Sequence, residues 1–150
     1  MIAIGCDHAG YELKKTIIEA LSEKGFEFKD VNVGEGKVDY PVIALTACQE
    51  VTSGNCEKAI LICGTGIGMS IAANKIKGIR AALCSDSFSA KFTRLHNDSN
   101  VMCIGARVLG SGLATELVEI FLSTEFENDD RHIRRLELIS TIEEENSKGE

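Results

Sequence analysis

The stretch Lys58-Ala59-Ile60-Leu61-Ile62-Cys63-Gly64-Thr65-Gly66-Ile67-Gly68 decides the fold. Its first half is a continuous apolar run, the pattern of a central parallel strand buried on both faces. Its second half is a glycine-rich turn that leads into a helix near Met69–Lys75, closed by Gly78. Strand, tight turn and helix in that order make a parallel α/β unit. Upstream, Met1–Cys6 is a strand candidate. Tyr11–Lys24 follows as a helix with Leu13, Ile17, Ala20 and Leu21 at helical spacing, ended by Gly25. Phe26–Val33 alternates as a second strand, and Pro41 opens a helix that Val42–Thr52 continues. Downstream, Ile79–Cys84 and Asn100–Gly105 are strands. Ser85–His96, Ser111–Ser123 and Asp129–Glu145 are helices, the first with Phe88, Phe92 and Leu95 on one face. Only Glu143–Glu150 reads as a solvated tail. This alternation, without linker or repeat, predicts a single α/β domain over residues 1–150. Its expected architecture is a three-layer α/β/α Rossmann-like domain with a mainly parallel five-stranded sheet. Right-handed crossovers would gather the strand-to-helix loops along one sheet edge, where such folds bind ligands.

Composition narrows the function classes. The 150 residues fit one domain, and one of this size buries ~70% of its unfolded surface without needing a structural metal. Hydrophobic content of 44% with 26% charged residues excludes general disorder. With 23 Asp+Glu against 16 Lys+Arg, the net charge of −7 argues against nucleic acid and anionic membranes as partners, while permitting a local basic pocket. The segment Met1–Asp7 reaches a charge too soon for a signal-peptide core, and no apolar run approaches the ~20 residues of a membrane span. A cytoplasmic location is therefore expected. The cysteines at 6, 48, 56, 63, 84 and 103 form no Cys-x-x-Cys pair and no zinc-type spacing with histidine. They are expected to be reduced, buried and free of metal. So short a chain leaves little room for a substrate-closing domain, so a site must come from loops or from a second copy.

Three loops at the expected carboxyl edge carry chemistry. In Gly5-Cys6-Asp7-His8-Ala9-Gly10, either Asp7 or His8 could contact a polar substrate, or Asp7 could cap the next helix. The turn at 64–68 lacks the Lys-Ser/Thr ending of a phosphate-binding P-loop. It also lacks the third glycine of the dinucleotide fingerprint, where Met69 stands instead. What remains is a turn whose N–H groups can hold an oxyanion at a helix start, with Cys63 at its mouth in a position that favours a thiolate. In His96-Asn97-Asp98-Ser99-Asn100, His96 could move a proton near neutral pH, or could serve only to complement a helix C-terminus. Arg107 lies just past the fifth strand. Arg131 and Arg135 share one helix face, suited to a phosphate or else to pairing with Glu127 and the acidic tail. On the same helix Ile133, Leu136, Leu138, Ile139 and Ile142 span an apolar arc of roughly 220°, wider than one packing face needs. A second subunit is the expected partner of that arc.

These motifs together resemble the type B ribose-5-phosphate isomerase family, which also holds galactose-6-phosphate isomerase subunits and allose-6-phosphate isomerases. The matching stretches run in family order: Gly5–Gly10, Asp39-Tyr40-Pro41, Ile62–Ser70, Asn74-Lys75, Gly78–Ala81, His96-Asn97-Asp98, Gly105-Ala106-Arg107 and Arg131–Arg135. The resemblance implies interconversion of ribose 5-phosphate and ribulose 5-phosphate, a pentose phosphate pathway step, with no metal and no organic cofactor. It makes Cys63 the base that moves a proton between C1 and C2, with Thr65 and the N–H groups of Gly64, Gly66, Ile67 and Gly68 on the enediolate oxyanion. It gives ring opening to His96 assisted by Asp7, sugar orientation to Asn97, and the phosphate to Arg107, Arg131, Arg135 and His8. Another branch of the family uses a Glu in the glycine-rich loop, but Met69 and Ser70 put this chain in the Cys branch. The resemblance also implies a homodimer or tetramer with sites at subunit interfaces, the last helix (about 129–145) contributing. Against it stand an isomerase of a six-carbon sugar phosphate such as allose 6-phosphate or of free sugars, a non-catalytic phosphosugar-binding regulator, a nucleotide-binding module, and a redox role for Cys63.

Overall fold

Side chains that alternate along each strand in the computed structural model build two apolar layers, one on each face of a single sheet. The structure describes residues 1–32 and 36–148. The strands are β1 (Ile2–Cys6), β2 (Phe28–Asp30), β3 (Lys58–Cys63), β4 (Ala81–Leu83) and β5 (Val101–Gly105). The helices are α1 (Tyr11–Ser22), α2 (Tyr40–Thr52), α3 (Ile67–Ala73), α4 (Ser87–Asn97), α5 (Ser111–Ser123) and α6 (Asp130–Ser147). Strand order is β2-β1-β3-β5-β4 and every pairing is parallel. The period of two in a strand sends Ile4, Ile60, Ile62, Met102 and Ile104 to one face, against Leu13, Ile17, Leu117 and Phe121 of α1 and α5. It sends Ala3, Leu61, Cys63 and Cys103 to the other face, against Ile43, Ala47, Met69 and Ala73 of α2 and α3. Each fully buried Ile or Leu contributes roughly 1.5–3 kcal/mol.

This is the expected three-layer α/β/α Rossmann-like sheet, all parallel rather than mainly so. The two outer strands are shorter than alternation alone predicts. Phe26 N–H bonds back to Leu21 O (3.1 Å) in the turn that ends α1, so β2 starts two residues later than expected. Its expected end, Val33, lies outside the described residues. Val31 N–H still reaches Ile4 O (2.9 Å), and the Asn32 side-chain amide then pairs with both N–H and C=O of Cys6 (2.9 and 2.8 Å). A side chain thereby continues the ladder where β2 stops. At β4, Ile79 N–H closes a turn on Ile76 O and Arg80 N–H goes to the Asn100 side chain, leaving three residues to pair. α3 begins at Ile67 and ends at Ala73, two residues early at each end.

The face of α4 that carries Phe88 and Phe92 forms as the spacing predicts, and it is not the face the helix buries. Its buried residues are Ala90 and Arg94, whereas Phe88 is 68% exposed and stacks on Phe92 (4.1 Å, 19°). The aromatic stripe of this helix faces outward, toward α6. α6 packs on the body chiefly through buried His132, while Leu138, Ile139 and Ile142 are exposed (58, 48 and 60%). No helix among the described residues is long and apolar enough to cross a membrane.

Candidate active site

The carboxyl ends of β1, β3 and β5 meet at the glycine-rich turn. Gly66 there has φ +81°, and a Cβ on it would lie 2.6 Å from Leu83 Cδ1 and 2.9 Å from the Ile104 carbonyl carbon. Only glycine meets both demands, which is why the chain can leave β3 and enter α3 in so few residues. Gly105 closes the turn from the β5 side, its Cα so near Thr65 that a Cβ would lie 2.7 Å from the Thr65 carbonyl carbon. The result presents Cys63 Sγ, 4% exposed by residue, as acceptor of the Gly66 N–H at 3.1 Å. Thr65 Oγ1 accepts the Ile67 N–H at 3.2 Å and keeps its own proton free to donate. Among the described residues no hydrogen bond uses the N–H of Gly64 or Gly68. Arg107 lies over the turn: its N–H bonds Gly64 O (3.0 Å), and its Nη1 would be 3.2 Å from a Cβ on Gly64.

Asp7 and His8 follow β1 beside this turn, with Asp7 N–H on Ile62 O (3.1 Å). Asp7 is buried and accepts the Ala9 N–H at 2.9 Å, an Asx-type turn. It is not the cap of α1, whose N-cap is Gly10 without a side-chain hydrogen bond. His8 is exposed.

The remaining predicted residues form a second group. His96 and Asn97 end α4 and, with Arg135 of α6, line a cavity of about 490 Å³ together with Leu83, Phe88, Phe92 and His132. Cys63 and Arg107 are not among its walls. Arg131 stands one turn earlier on α6, exposed, its Nε 3.6 Å from Asp129 Oδ1. One chain thus gathers Asp7, His8, Cys63, Thr65 and Arg107 in one place and His96, Asn97 and Arg135 in another.

Two arginines without an assigned role in the sequence reading fix the second group. Arg94, 5% exposed, donates to Ser99 O (2.6 Å), Asp98 Oδ1 (2.9 Å) and Thr124 O (3.0 Å). Arg80 donates to Asn97 O (3.0 Å) and Asp98 O (2.8 Å). Together they hold Asp98, a non-glycine residue at φ +44°, where α4 stops. His132 and Glu127, to which the sequence assigns no part in the site, stand beside His96 as well. His132 stacks on His96 (4.1 Å between centroids, 20°), and Phe92 meets the His96 ring edge-on at 5.0 Å. The spacing of Phe92 and His96, four apart on one helix, carried a trace of this; the burial of His132 did not show in the sequence.

A backbone hydrogen bond distinguishes Cys63 from the other thiols. Burial pushes Cys6 and Cys84 up to about 11 and Cys48 up to about 12, and raises Cys56 and Cys103 too, so all five are neutral. Among the described residues, Cys63 is the one thiol of the six that accepts a backbone N–H. His96, Glu127 and His132 offer three ligand atoms within 4.8 Å of one another. The two imidazoles are nearly parallel, however, so their lone pairs run side by side instead of converging on one ion as zinc requires.

Comparison with known proteins places these features in a family context. A model described as Ribose/Galactose Isomerase matches residues 2–139. Ribose-5-P isomerase B of Listeria innocua is 47% identical over 146 residues, covering 97% of this chain and 98% of that protein. D-erythrulose-4-phosphate isomerase of Pectobacterium atrosepticum is 45% identical over 129 residues, 84% of each. Among solved structures, ribose-5-phosphate isomerase B of Clostridium thermocellum superposes with a TM-score of 0.92 at 45% identity, covering 97% of this chain and 98% of that one.

Proposed function

The chain belongs to the ribose/galactose isomerase family, and we propose that it interconverts D-ribose 5-phosphate and D-ribulose 5-phosphate through an enediolate, with Cys63 as the base. Cys63 Sγ takes the C2 proton of the open-chain aldose as the C1–C2 double bond forms and negative charge grows on O1. The same proton returns at C1 and the O2–H proton passes to O1, so C2 becomes the carbonyl and nothing is gained or lost. The Thr65 hydroxyl and the free N–H groups of the turn meet the charge on O1. Donors fixed in advance at a developing oxyanion contribute roughly 3–4 kcal/mol each. Before this, the furanose ring opens: the C1–O4 bond breaks, O4 gains a proton and O1 loses one, with His96 and Asp7 as the two partners. Asn97 orients the sugar, and Arg107, Arg131, Arg135 and His8 hold the phosphate.

The observation that carries this reading is the Gly66 N–H directed at Cys63 Sγ (3.1 Å), while the other five thiols are buried and neutral. An N–H donor stabilises negative charge on the sulfur that must act as base. The separation of the two groups in one chain, and the exposed Leu138, Ile139 and Ile142 on α6, favour a homodimer in which each site joins the first group of one subunit to the second group of its partner.

A substrate panel on wild type and Cys63→Ala tests the function. Wild type is expected to turn over ribose 5-phosphate fastest. The variant should lose at least ~10³-fold in kcat yet bind ribose 5-phosphate within about threefold. Near-full activity of the variant removes Cys63 as base, and a wild type inert on every sugar phosphate leaves a phosphosugar-binding regulator. The panel includes D-erythrose 4-phosphate and D-allose 6-phosphate, since the Pectobacterium relative is named for a four-carbon sugar phosphate. A higher kcat/KM on either would move the chain to that substrate.

A further inference from the structure

His132 lies in the first turn of α6, 4% exposed, and its Nε2 has no hydrogen-bond partner among the described residues. An orphaned buried polar atom is costly to a fold, so its retention calls for a reason. The nearest charge is Glu127 Oε2 at 3.5 Å, and the same oxygen is 3.8 Å from His96 Nε2. Glu127 is held beside α4 by its own N–H on Leu95 O (3.2 Å), and His132 by its N–H on Asp129 O (2.9 Å). His96 therefore has a stacked ring on one face, a phenyl ring against it in edge-on geometry, and a carboxylate beside Nε2. Asn97 and Arg135 line the cavity on which it opens.

We propose that His132 and Glu127 are positioning residues that fix the His96 imidazole for opening the sugar ring, a role that rests on the isomerase reading above. His132 sets the plane of the ring by stacking, and Glu127 lies between the two Nε2 atoms. Hydrogen bonds of a catalytic group are commonly long without substrate and tighten in the complex. A shift of a few tenths of an ångström in Glu127 would let it accept from His132 and so satisfy the orphaned atom. A misplacement of about 1 Å in a proton-transfer group can cost on the order of 10²-fold in rate, so a loose His96 would be a slow one.

Ring opening is measured apart from isomerisation as exchange between the two anomers of ribose 5-phosphate, by two-dimensional NMR exchange in a Cys63→Ala background. His132→Ala is expected to slow this exchange by about 10–100-fold, and Glu127→Gln, at an exposed position, by about fivefold. His132→Phe, which restores a flat ring, should recover the rate to within about threefold. Affinity for the acyclic ribitol 5-phosphate, read by calorimetry, should stay within about threefold in all three. Exchange unchanged in both His132→Ala and Glu127→Gln overturns the proposal. So does a loss of exchange matched by an equal loss of ribitol 5-phosphate binding, which would mark a merely structural role. If Cys63→Ala alone shows no exchange above the buffer rate while wild type isomerises ribose 5-phosphate, the assignment of ring opening to His96 falls, and with it the role given to His132. A wild type with no isomerase activity fails the function itself, a result separate from all of these.

Discussion

A thiol's neighbours decide what it can do. Cys48 has no charge beside it, and burial pushes it up to about 12; Cys6 and Cys84 reach about 11 for the same first reason. Below about pH 8.5 folded and unfolded chains both keep these thiols protonated, and their contribution to stability is complete. As pH rises from there toward 12 the unfolded chain releases protons that the folded chain retains, so stability falls. Melting temperature under reducing conditions is therefore expected to decline steadily from pH 8.5 to 10.5, and to decline less steeply in Cys48→Ala. Parallel curves for the two proteins would show that Cys48 does not carry this effect. The same contrast explains which residues the sequence could single out. Cys63 is legible because the glycines that create its N–H donor follow it directly in the chain. His132 is not, because its burial depends on α6 docking against α4, a contact between segments that no local spacing encodes.

At the scale of elements, local pattern succeeds where burial is two-sided and weakens at the edges. β1, β3 and β5 fall within a residue of their apolar runs, because a strand covered on both faces must be apolar throughout. β2 and β4 are shorter than their runs, since turn hydrogen bonds and the side chains of Asn32 and Asn100 take over backbone groups that alternation would give to the sheet. The aromatic stripe of α4 lies outward for a related reason: its buried side carries Arg94, a charge that hydrophobic spacing cannot place in a core. That arginine is the strut for the helix end bearing His96 and Asn97. Arg94→Met leaves the carbonyls Ser99 O and Thr124 O without their donor, while Asp98, half-exposed, keeps Arg80. Each buried group left unsatisfied costs roughly 1–3 kcal/mol. For two such groups in a domain of this size that is a fall of about 4–24 °C in melting temperature. Arg80→Met, on the more exposed side of Asp98, should cost clearly less. Equal losses from the two variants would contradict the strut role.

For the whole molecule the question is why the candidate site residues fall into two groups along one sheet edge. The order β2-β1-β3-β5-β4 puts the Cys63 turn near the centre and α4, next to the β4 edge, at some remove. The strand order itself was not legible, since which strands pair is a property of the folded sheet and not of any one run. α6 then carries Arg131 and Arg135 along with an exposed apolar face, the arrangement of a helix that serves two subunits at once. In the proposed homodimer a C2 interface would make such a pairing reciprocal, giving every dimer two composite sites. This predicts complementation between inactive chains. Let Cys63→Ala and His96→Asn be unfolded together and refolded at equal concentration. In the mixed dimer one site inherits both lesions, while the other joins the intact Cys63 of one chain to the intact His96 of its partner. Random pairing makes about half the dimers mixed, with one live site in two, so activity should return to about a quarter of wild type. Had each chain housed its own complete site, every site in the mixture would carry one lesion and activity would stay at the level of the separate variants. A larger assembly leaves the fraction unchanged, because the count depends on pairs of half-sites and not on how many pairs associate.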